Sequence, residues 1–122
     1  MNIEFFRAYC LAKPGVTEGF PFDSQTLVFK VLGKMFALTD VDKFVSVNLK
    51  CDPEEAMLLR ERYPGVLPGY HMNKKHWNTI LMDGSVDDPL IITLVDRSYD
   101  LVVAKLPKKD RQAILAELST KK

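Results

Sequence analysis

The residues best suited to chemistry in this sequence lie close together in residues 68–78. This segment reads Pro-Gly-Tyr-His-Met-Asn-Lys-Lys-His-Trp-Asn, and it holds both histidines of the chain, its only tryptophan and an adjacent pair of lysines. Lysine ammonium groups bind phosphates, as Lys74 and Lys75 would here. Aromatic rings such as those of Tyr70 and Trp77 stack on nucleic-acid bases. The segment therefore predicts a contact with DNA or RNA.

Further cationic side chains would extend this contact, and they are His76, Lys30, Lys34 and Arg97. His76 would add a donor whose charge changes near neutral pH. The alternative is that the aromatic rings are buried and the lysines are merely solvated. The same residues could also anchor another protein or a small ligand. The salt dependence of the affinity distinguishes nucleic-acid binding from binding of a protein or small ligand. Phosphate contacts release counterions and weaken steeply with salt, whereas an apolar anchor does not.

Metal binding and catalysis find less support in the sequence. His71 and His76 are five residues apart, a spacing that places them neither on one face of a helix nor on one side of a strand. No cysteine or carboxylate stands close enough in sequence to complete a metal site with them. No serine lies in a Gly-x-Ser-x-Gly turn, and no run of glycines could cradle a phosphate. We therefore expect a protein without enzymatic activity, metal or cofactor.

The composition is that of one globular domain, which we assign to residues 1–122. Hydrophobic residues make up 47% of the chain, charged residues 27%, and the net charge is +1. A balance so near zero gives no general electrostatic reason to bind nucleic acid. Residues 105–122 are basic, a pattern that could serve phosphates but is more typical of a solvated helical face.

The sequence also bears on the expected environment of the protein. Glu4 and Arg7 interrupt the apolar start of the chain, which does not resemble a secretory signal. The longest apolar run, residues 90–95, is far shorter than the roughly 20 residues that span a bilayer. We expect a cytoplasmic monomer with no membrane partner. Cys10 and Cys51 lack partner motifs and are expected to be buried, unpaired thiols.

The first half of the chain predicts one helix and a strand meander. Residues 3–13 carry apolar side chains at helical spacing, with Asn2 as the cap. A period of two then predicts strands over residues 26–32, 35–39 and 44–49. Gly33-Lys34 separates the first two strands and predicts a tight hairpin. The alternation indicates an antiparallel sheet with one buried face.

The second helix has the clearest start in the sequence. Asp52 can accept hydrogen bonds from the first free amides, Pro53 suits the first helical turn, and Glu55 can reach back to the cap. This helix is expected to end near Tyr63. Alternation over residues 77–82 predicts a further strand, which would anchor the chemically rich segment that precedes it.

Two more helices complete the prediction. Asp88-Pro89 repeats the arrangement of a cap followed by proline, and Asp88 is the expected cap of the third helix. Pro107 precedes the last helix, whose expected buried edge is Ile114, Leu115 and Leu118. Strands and helices are segregated along the chain rather than alternating, which indicates an α+β fold.

Several motifs occur in the order typical of one known family. They are Phe20-Pro21-Phe22, Val28-Phe29-Lys30-Val31, Gly33-Lys34-Met35-Phe36-Ala37, Asn48-Leu49-Lys50-Cys51-Asp52-Pro53, residues 68–78 and Ser98-Tyr99-Asp100-Leu101-Val102. On these motifs, which span almost the whole chain, the sequence resembles the MmcQ/YjbR family. The resemblance implies a small bacterial protein with a frataxin-like or CyaY-like α+β fold, described as a double-wing arrangement. It also implies DNA binding, which for that family is a prediction from shape.

Overall fold

A computed structural model describes residues 1–69 and 72–120, except for the side chains of residues 119 and 120. These residues form four helices and six strands. In chain order they are α1 (Ile3–Leu11), β1 (Val16–Gly19), β2 (Thr26–Val31), β3 (Lys34–Asp40), β4 (Ser46–Lys50), α2 (Pro53–Arg62), β5 (Val66–Pro68), β6 (Trp77–Leu81), α3 (Asp88–Ala104) and α4 (Lys108–Thr120).

The strands form one antiparallel sheet in the order β1-β2-β3-β4-β6-β5. The first four strands are adjacent in chain order, and β6 then pairs with β4 while β5 lies at the far edge. The helices cover one face of the sheet through a core that includes Phe6, Phe29, Leu49, Tyr99 and Ile114. The predicted α+β architecture, an antiparallel sheet with helices packed on one side, is confirmed.

A tight turn joins β2 to β3. Its two loop residues are Leu32 and Gly33, with φ angles of 47° and 87°. Two consecutive left-handed residues are typical of a type I′ turn, whose twist matches that of the flanking strands. The predicted hairpin is therefore confirmed. Its loop lies one residue earlier than expected, because Lys34 is already the first residue of β3.

The two edge strands have no counterpart in the sequence prediction. β1 has four residues and β5 has three. Such short stretches carry too little alternation to reveal a period of two, and β5 ends in a proline, which is tolerated at a sheet edge. Both strands exist because the neighbouring strands β2 and β6 supply their hydrogen bonds.

Helix starts follow the predicted capping chemistry at α1 and α2 but not at α3. The Asn2 and Asp52 side chains accept backbone N–H groups at the starts of α1 and α2. The prediction of Asp88 as the cap of α3 is wrong, because Asp87 accepts the Leu90 N–H at 3.1 Å and Asp88 is the first helical residue. Proline is tolerated at either of the first two helical positions, so the sequence did not distinguish the two aspartates.

The Glu55 side chain also departs from its expected role. The predicted bond back to the cap of α2 is replaced by an ion pair between Glu55 and Arg97 of α3. The Asp52 side chain already accepts the N–H groups of Glu54 and Glu55. The Glu55 carboxylate is therefore available to join α2 to α3.

The sheet face opposite the helices is not simply solvent-exposed. Val28, Leu38 and Trp77 are buried there, and Met35 and Met72 pack against them. The expectation of one buried face is therefore incomplete. Met72 precedes β6 in the chain and covers part of the outer face of the sheet beside Trp77.

The last helix buries less of its apolar edge than predicted. Ile114 is buried, whereas Leu115 and Leu118 are 61% and 42% exposed. Their prediction as core residues is wrong, because α4 contacts the core mainly through a single position. Within the described ranges, no helix has the length and apolarity that crossing a bilayer requires.

Candidate nucleic-acid interface

A cleft of about 430 Å³ lies at the end of the sheet where β3 begins and β4 ends. We call it the lysine cleft. Its lining residues come from two strands, the start of a third and the end of α3, and they are Lys34, Met35, Lys50, Trp77, Val102, Lys105 and Leu106. Three ammonium groups and one indole thus converge from positions far apart in the sequence.

Strand pairing brings two of these side chains to the same face of the sheet. Lys50, the last residue of β4, lies directly opposite Trp77, the first residue of β6. Directly opposed residues of antiparallel strands point to the same side, so the lysine and the indole share the outer face. Trp77 is only 7% exposed. It forms a wall of the cleft rather than a protruding ring.

A buried serine of α3 fixes the strand ends that carry the cleft. The Ser98 hydroxyl donates to the Phe36 carbonyl at 2.5 Å and accepts the Lys50 N–H at 2.9 Å. The β2–β3 register skips Phe36, because Phe29 pairs with Ala37 whereas Lys30 pairs with Met35. Ser98 therefore ties an irregular point of β3, next to Met35, to the backbone of Lys50.

The charged side chains among the described residues that line the lysine cleft are all lysines. None of these lining residues is acidic. Burial lowers the pKa of the Lys50 ammonium, and the charge of Lys105 lowers it further. Lys105 follows the last turn of α3, where the negative end of the helix dipole favours a cation. An arrangement of like charges without a carboxylate favours an anionic ligand.

Two of the predicted site residues, Lys34 and Trp77, belong to the lysine cleft. Lys30 lies opposite Met35 on the neighbouring strand, and so on the same face of the sheet. Lys30 also lines a smaller depression together with Glu18 of β1. The structure thus brings Lys30 and Trp77 to the outer sheet face. Lys34 lies opposite the core residue Val31 and reaches the cleft from the helix-covered side.

The predicted lysine pair lies in the turn that leads into β6. Lys74 and Lys75 are exposed. The Lys74 carbonyl accepts a bond from the Arg60 guanidinium at 3.1 Å, and the Lys75 N–H donates to the Asn73 side chain at 2.9 Å. The turn is therefore tied to α2 and closed by an asparagine.

The remaining predicted residues differ in their placement. His76 is half-buried, and its carbonyl accepts the Cys51 N–H at 2.8 Å, which extends the pairing of β4 with β6. Arg97 forms an ion pair with Glu55. It lines a separate pocket that also contains Asp52 and Asp100. Arg97 does not line the lysine cleft. Tyr70 lies outside the described residues, as does His71.

The sequence prediction missed Lys50, Lys105 and Ser98 as site residues. Lys50 and Ser98 both occur in the motifs of the family resemblance, but neither carries an independent chemical signal. Lys105 lies in the basic terminal region, which by itself is typical of a solvated helix. Lys50 and Lys105 were identified as site residues because both line the cleft that Trp77 borders, which the sequence does not reveal.

The two thiols are poorly suited to nucleophilic chemistry. Cys10 and Cys51 are free and buried. Burial raises the pKa of Cys10 to about 12 and that of Cys51 to about 11, so both remain protonated at neutral pH. In the part of the chain that the structure describes, no three histidine, cysteine or acidic side chains are grouped so that they could hold a metal ion.

Comparisons with known proteins identify the family of this chain. A family model described as YjbR matches residues 11–101. The chain is 39% identical to the protein YjbR of Escherichia coli (strain K12) over 116 residues, which cover 94% of this chain and 98% of that protein. It is 37% identical to the protein YbdF of Escherichia coli O157:H7 over 112 residues, or 91% of this chain and 92% of the relative.

Solved structures agree with the sequence comparisons. The crystal structure of the Deinococcus radiodurans protein DR2400, with a domain of the DUF419 family model, superposes with a TM-score of 0.86 at 42% identity. The match covers 93% of this chain and 87% of that one. A protein from Pseudomonas syringae matches with a TM-score of 0.70 at 31% identity, covering 83% and 98% of the two chains. The chain therefore belongs to the YjbR family.

Proposed function

We propose that this protein binds nucleic acid through the lysine cleft and that it does so without catalysing a reaction. The observation that supports the proposal is the convergence of Lys34, Lys50 and Lys105 on a cleft that has an indole wall and, in the described part of the chain, no acidic residue in its lining. Phosphates provide the negative charge that such a group of ammoniums favours, and bases provide flat apolar surface for the wall. We propose that the protein acts in the cytoplasm, as a monomer and without a cofactor.

The surroundings of the cleft suggest how a strand would continue beyond it. Lys30 lies on the same sheet face, and the turn with Lys74 and Lys75 comes directly before β6. A strand that follows this surface would meet additional cations on either side of Trp77. Because the net charge of the protein is only +1, binding would depend on these local contacts rather than on a general field.

The affinity should fall steeply with salt. Three phosphate contacts on a single strand correspond to a slope of about −2 in the logarithm of the association constant against the logarithm of salt concentration. That slope predicts a loss of about twentyfold between 50 and 200 mM salt. A fluorescence-anisotropy titration with labelled single-stranded and duplex DNA and RNA at both salt concentrations measures it. Absence of binding to all four at 50 mM would contradict the proposal.

Matched double variants locate the binding surface. Lys50→Ala/Lys105→Ala removes two cations of the cleft and should weaken binding about tenfold or more at 50 mM salt. Lys43→Ala/Lys109→Ala removes the same charge from exposed positions that do not line the cleft, and should change affinity far less. Lys74→Ala/Lys75→Ala tests the turn before β6. Equal losses in all three variants would indicate nonspecific attraction.

A second candidate function is a protein or small-ligand interaction module. A groove of about 630 Å³ lies between α1 and the β1 edge, with Ile3, Phe20 and Leu27 in its lining. Phe5 and Phe22 are also exposed, at 52% and 63%. Large exposed aromatic side chains are typical of interaction surfaces. The charged residues of this groove are Glu4, Arg7 and Glu18, and Arg7 is paired with Glu18, so the groove is not suited to phosphate. The same titration therefore separates the two candidates, since steep salt dependence is expected from phosphate contacts.

A further inference from the structure

We infer that the lysine cleft accepts one unpaired nucleotide of a nucleic-acid strand, with its base against Trp77 and Met35 and its flanking phosphates on the three lysines. This inference rests on the proposed nucleic-acid binding and names the form of nucleic acid that is bound. It predicts a preference for single strands over duplexes.

The size and lining of the cleft fit a single nucleotide. Its volume of about 430 Å³ lies in the lower part of the range of roughly 300–1,000 Å³ that small-molecule sites occupy. Met35, Trp77, Val102 and Leu106 supply an apolar surface, and the three ammonium groups supply the charges of the described lining. A ligand that satisfies both parts must carry a flat apolar group close to negative charge, as one nucleotide does.

The placement of Trp77 limits the contact to one base. The indole is held in the outer-face cluster with Val28 and Leu38, and only 7% of Trp77 is exposed. A ring buried in this way cannot be sandwiched between successive bases, as exposed platform residues are. It can line the side of a pocket that receives a single base.

A duplex cannot present such a base without cost. Its bases are stacked and paired, and extruding one requires breaking both interactions. A paired duplex would therefore reach the lysines through its phosphates while leaving the apolar surface of the cleft unused. An unpaired strand can use both.

The electrostatics support the same assignment. The lowered pKa of Lys50 reflects burial and the repulsion of Lys105, and a phosphate between these ammoniums would relieve that repulsion. Lys34 faces the same cleft from the start of β3. A nucleotide within a strand has a phosphate on either side of its sugar. These two phosphates supply the negative charges for contacts with the lysines.

The test compares four ligands on the intact protein, with Trp77 fluorescence and anisotropy as readouts. They are a ten-nucleotide single strand, the same sequence as a duplex, a single strand of the same length with abasic sites, and free adenosine monophosphate. The intact single strand should bind about tenfold or more tighter than the abasic strand, since base contacts are worth roughly 1–3 kcal/mol each. It should also bind tighter than the duplex, and it should change the Trp77 emission.

Paired methionine variants test the base contact. Met35→Ala should reduce the preference for the intact strand over the abasic strand, whereas Met57→Ala on the exposed surface of α2 should not. Circular dichroism checks that both variants fold. Protection of wild-type Trp77 from acrylamide quenching by the single strand provides a measurement that needs no variant.

The outcomes distinguish this inference from the proposed function. Equal affinity for single strand, abasic strand and duplex, with unchanged Trp77 emission, would overturn the single-nucleotide cleft while leaving nucleic-acid binding in place. Binding of adenosine monophosphate at least as tightly as the strand would assign the cleft to a free nucleotide and overturn the strand assignment. No binding of any strand at 50 mM salt would overturn the proposed function itself.

Discussion

At the residue scale, Ser98 links the fold to the candidate site. Its hydroxyl is fully buried and serves two backbone groups from neighbouring strands, the Phe36 carbonyl and the Lys50 N–H. A hydroxyl can donate one bond and accept another, which alanine cannot. The position of the Lys50 backbone at the cleft therefore depends on a residue of α3 that is not among the lining residues of the cleft.

We expect Ser98→Ala to lower the free energy of unfolding by about 1–3 kcal/mol, because it leaves a buried carbonyl and a partly buried N–H without their partner. Urea denaturation measures the change. Ser24→Ala, at an exposed loop position, is the matched control and should stay within about 0.5 kcal/mol of the wild type. Equal stability of the two variants would show that these two bonds do not contribute measurably.

At the scale of elements, the start of α3 depends on which of two adjacent aspartates accepts the free amides. Asp87 caps the helix through its bond from the Leu90 N–H, whereas the Asp88 carboxylate lies 3.2 Å from the terminal amino group of Met1. A cap satisfies a backbone donor that otherwise has no partner in the helix. An exposed ion pair contributes little, because water screens it.

Asp87→Ala should therefore reduce the free energy of unfolding by about 1 kcal/mol. Asp88→Ala should reduce it by less, since it removes only an exposed pair and one favourable charge at the start of the helix. Chemical denaturation of the two variants side by side measures the difference. A larger loss from Asp88→Ala would identify Asp88 as the effective cap, contrary to the structure.

At the scale of the whole molecule, the sheet joins two apolar clusters on its opposite faces. The larger one lies under the helices, and the smaller one holds Trp77 with Val28 and Leu38. Val28 belongs to β2, whose neighbours Leu27 and Phe29 point into the larger core. The two clusters thus share the same strands, and neither can lose its packing without disturbing the other.

Unfolding should consequently be a single transition by every probe. Trp77 fluorescence reports the outer cluster, and far-ultraviolet circular dichroism reports the helices and the sheet as a whole. We expect the two urea curves to coincide in midpoint and slope, as for a cooperative single domain. A fluorescence transition at lower urea than the circular dichroism transition would show that the outer cluster opens independently.

The sequence by itself determined most of the local structure and the family. Asn2 and Asp52 predict helix starts because capping needs only a side-chain oxygen next to the free backbone N–H groups of the first turn. Gly33 predicts a hairpin because left-handed backbone favours glycine. The alternation of side chains from Trp77 onward predicts β6. These signals need only a few neighbouring residues. The motifs around them were sufficient to indicate the family and its α+β fold.

The tertiary structure decided what local signals cannot contain. The short edge strands form only beside their partners, and the exposure of Leu115 and Leu118 depends on how α4 meets the core. The lysine cleft was also decided at this level. Lys34, Lys50 and Lys105 converge only because β3 pairs with β4 and because α3 ends beside the start of β3, and Trp77 joins them because β6 pairs with β4. Charge repulsion and burial depend on distances in space, so residues separated by more than fifty positions become one site only when the chain has folded.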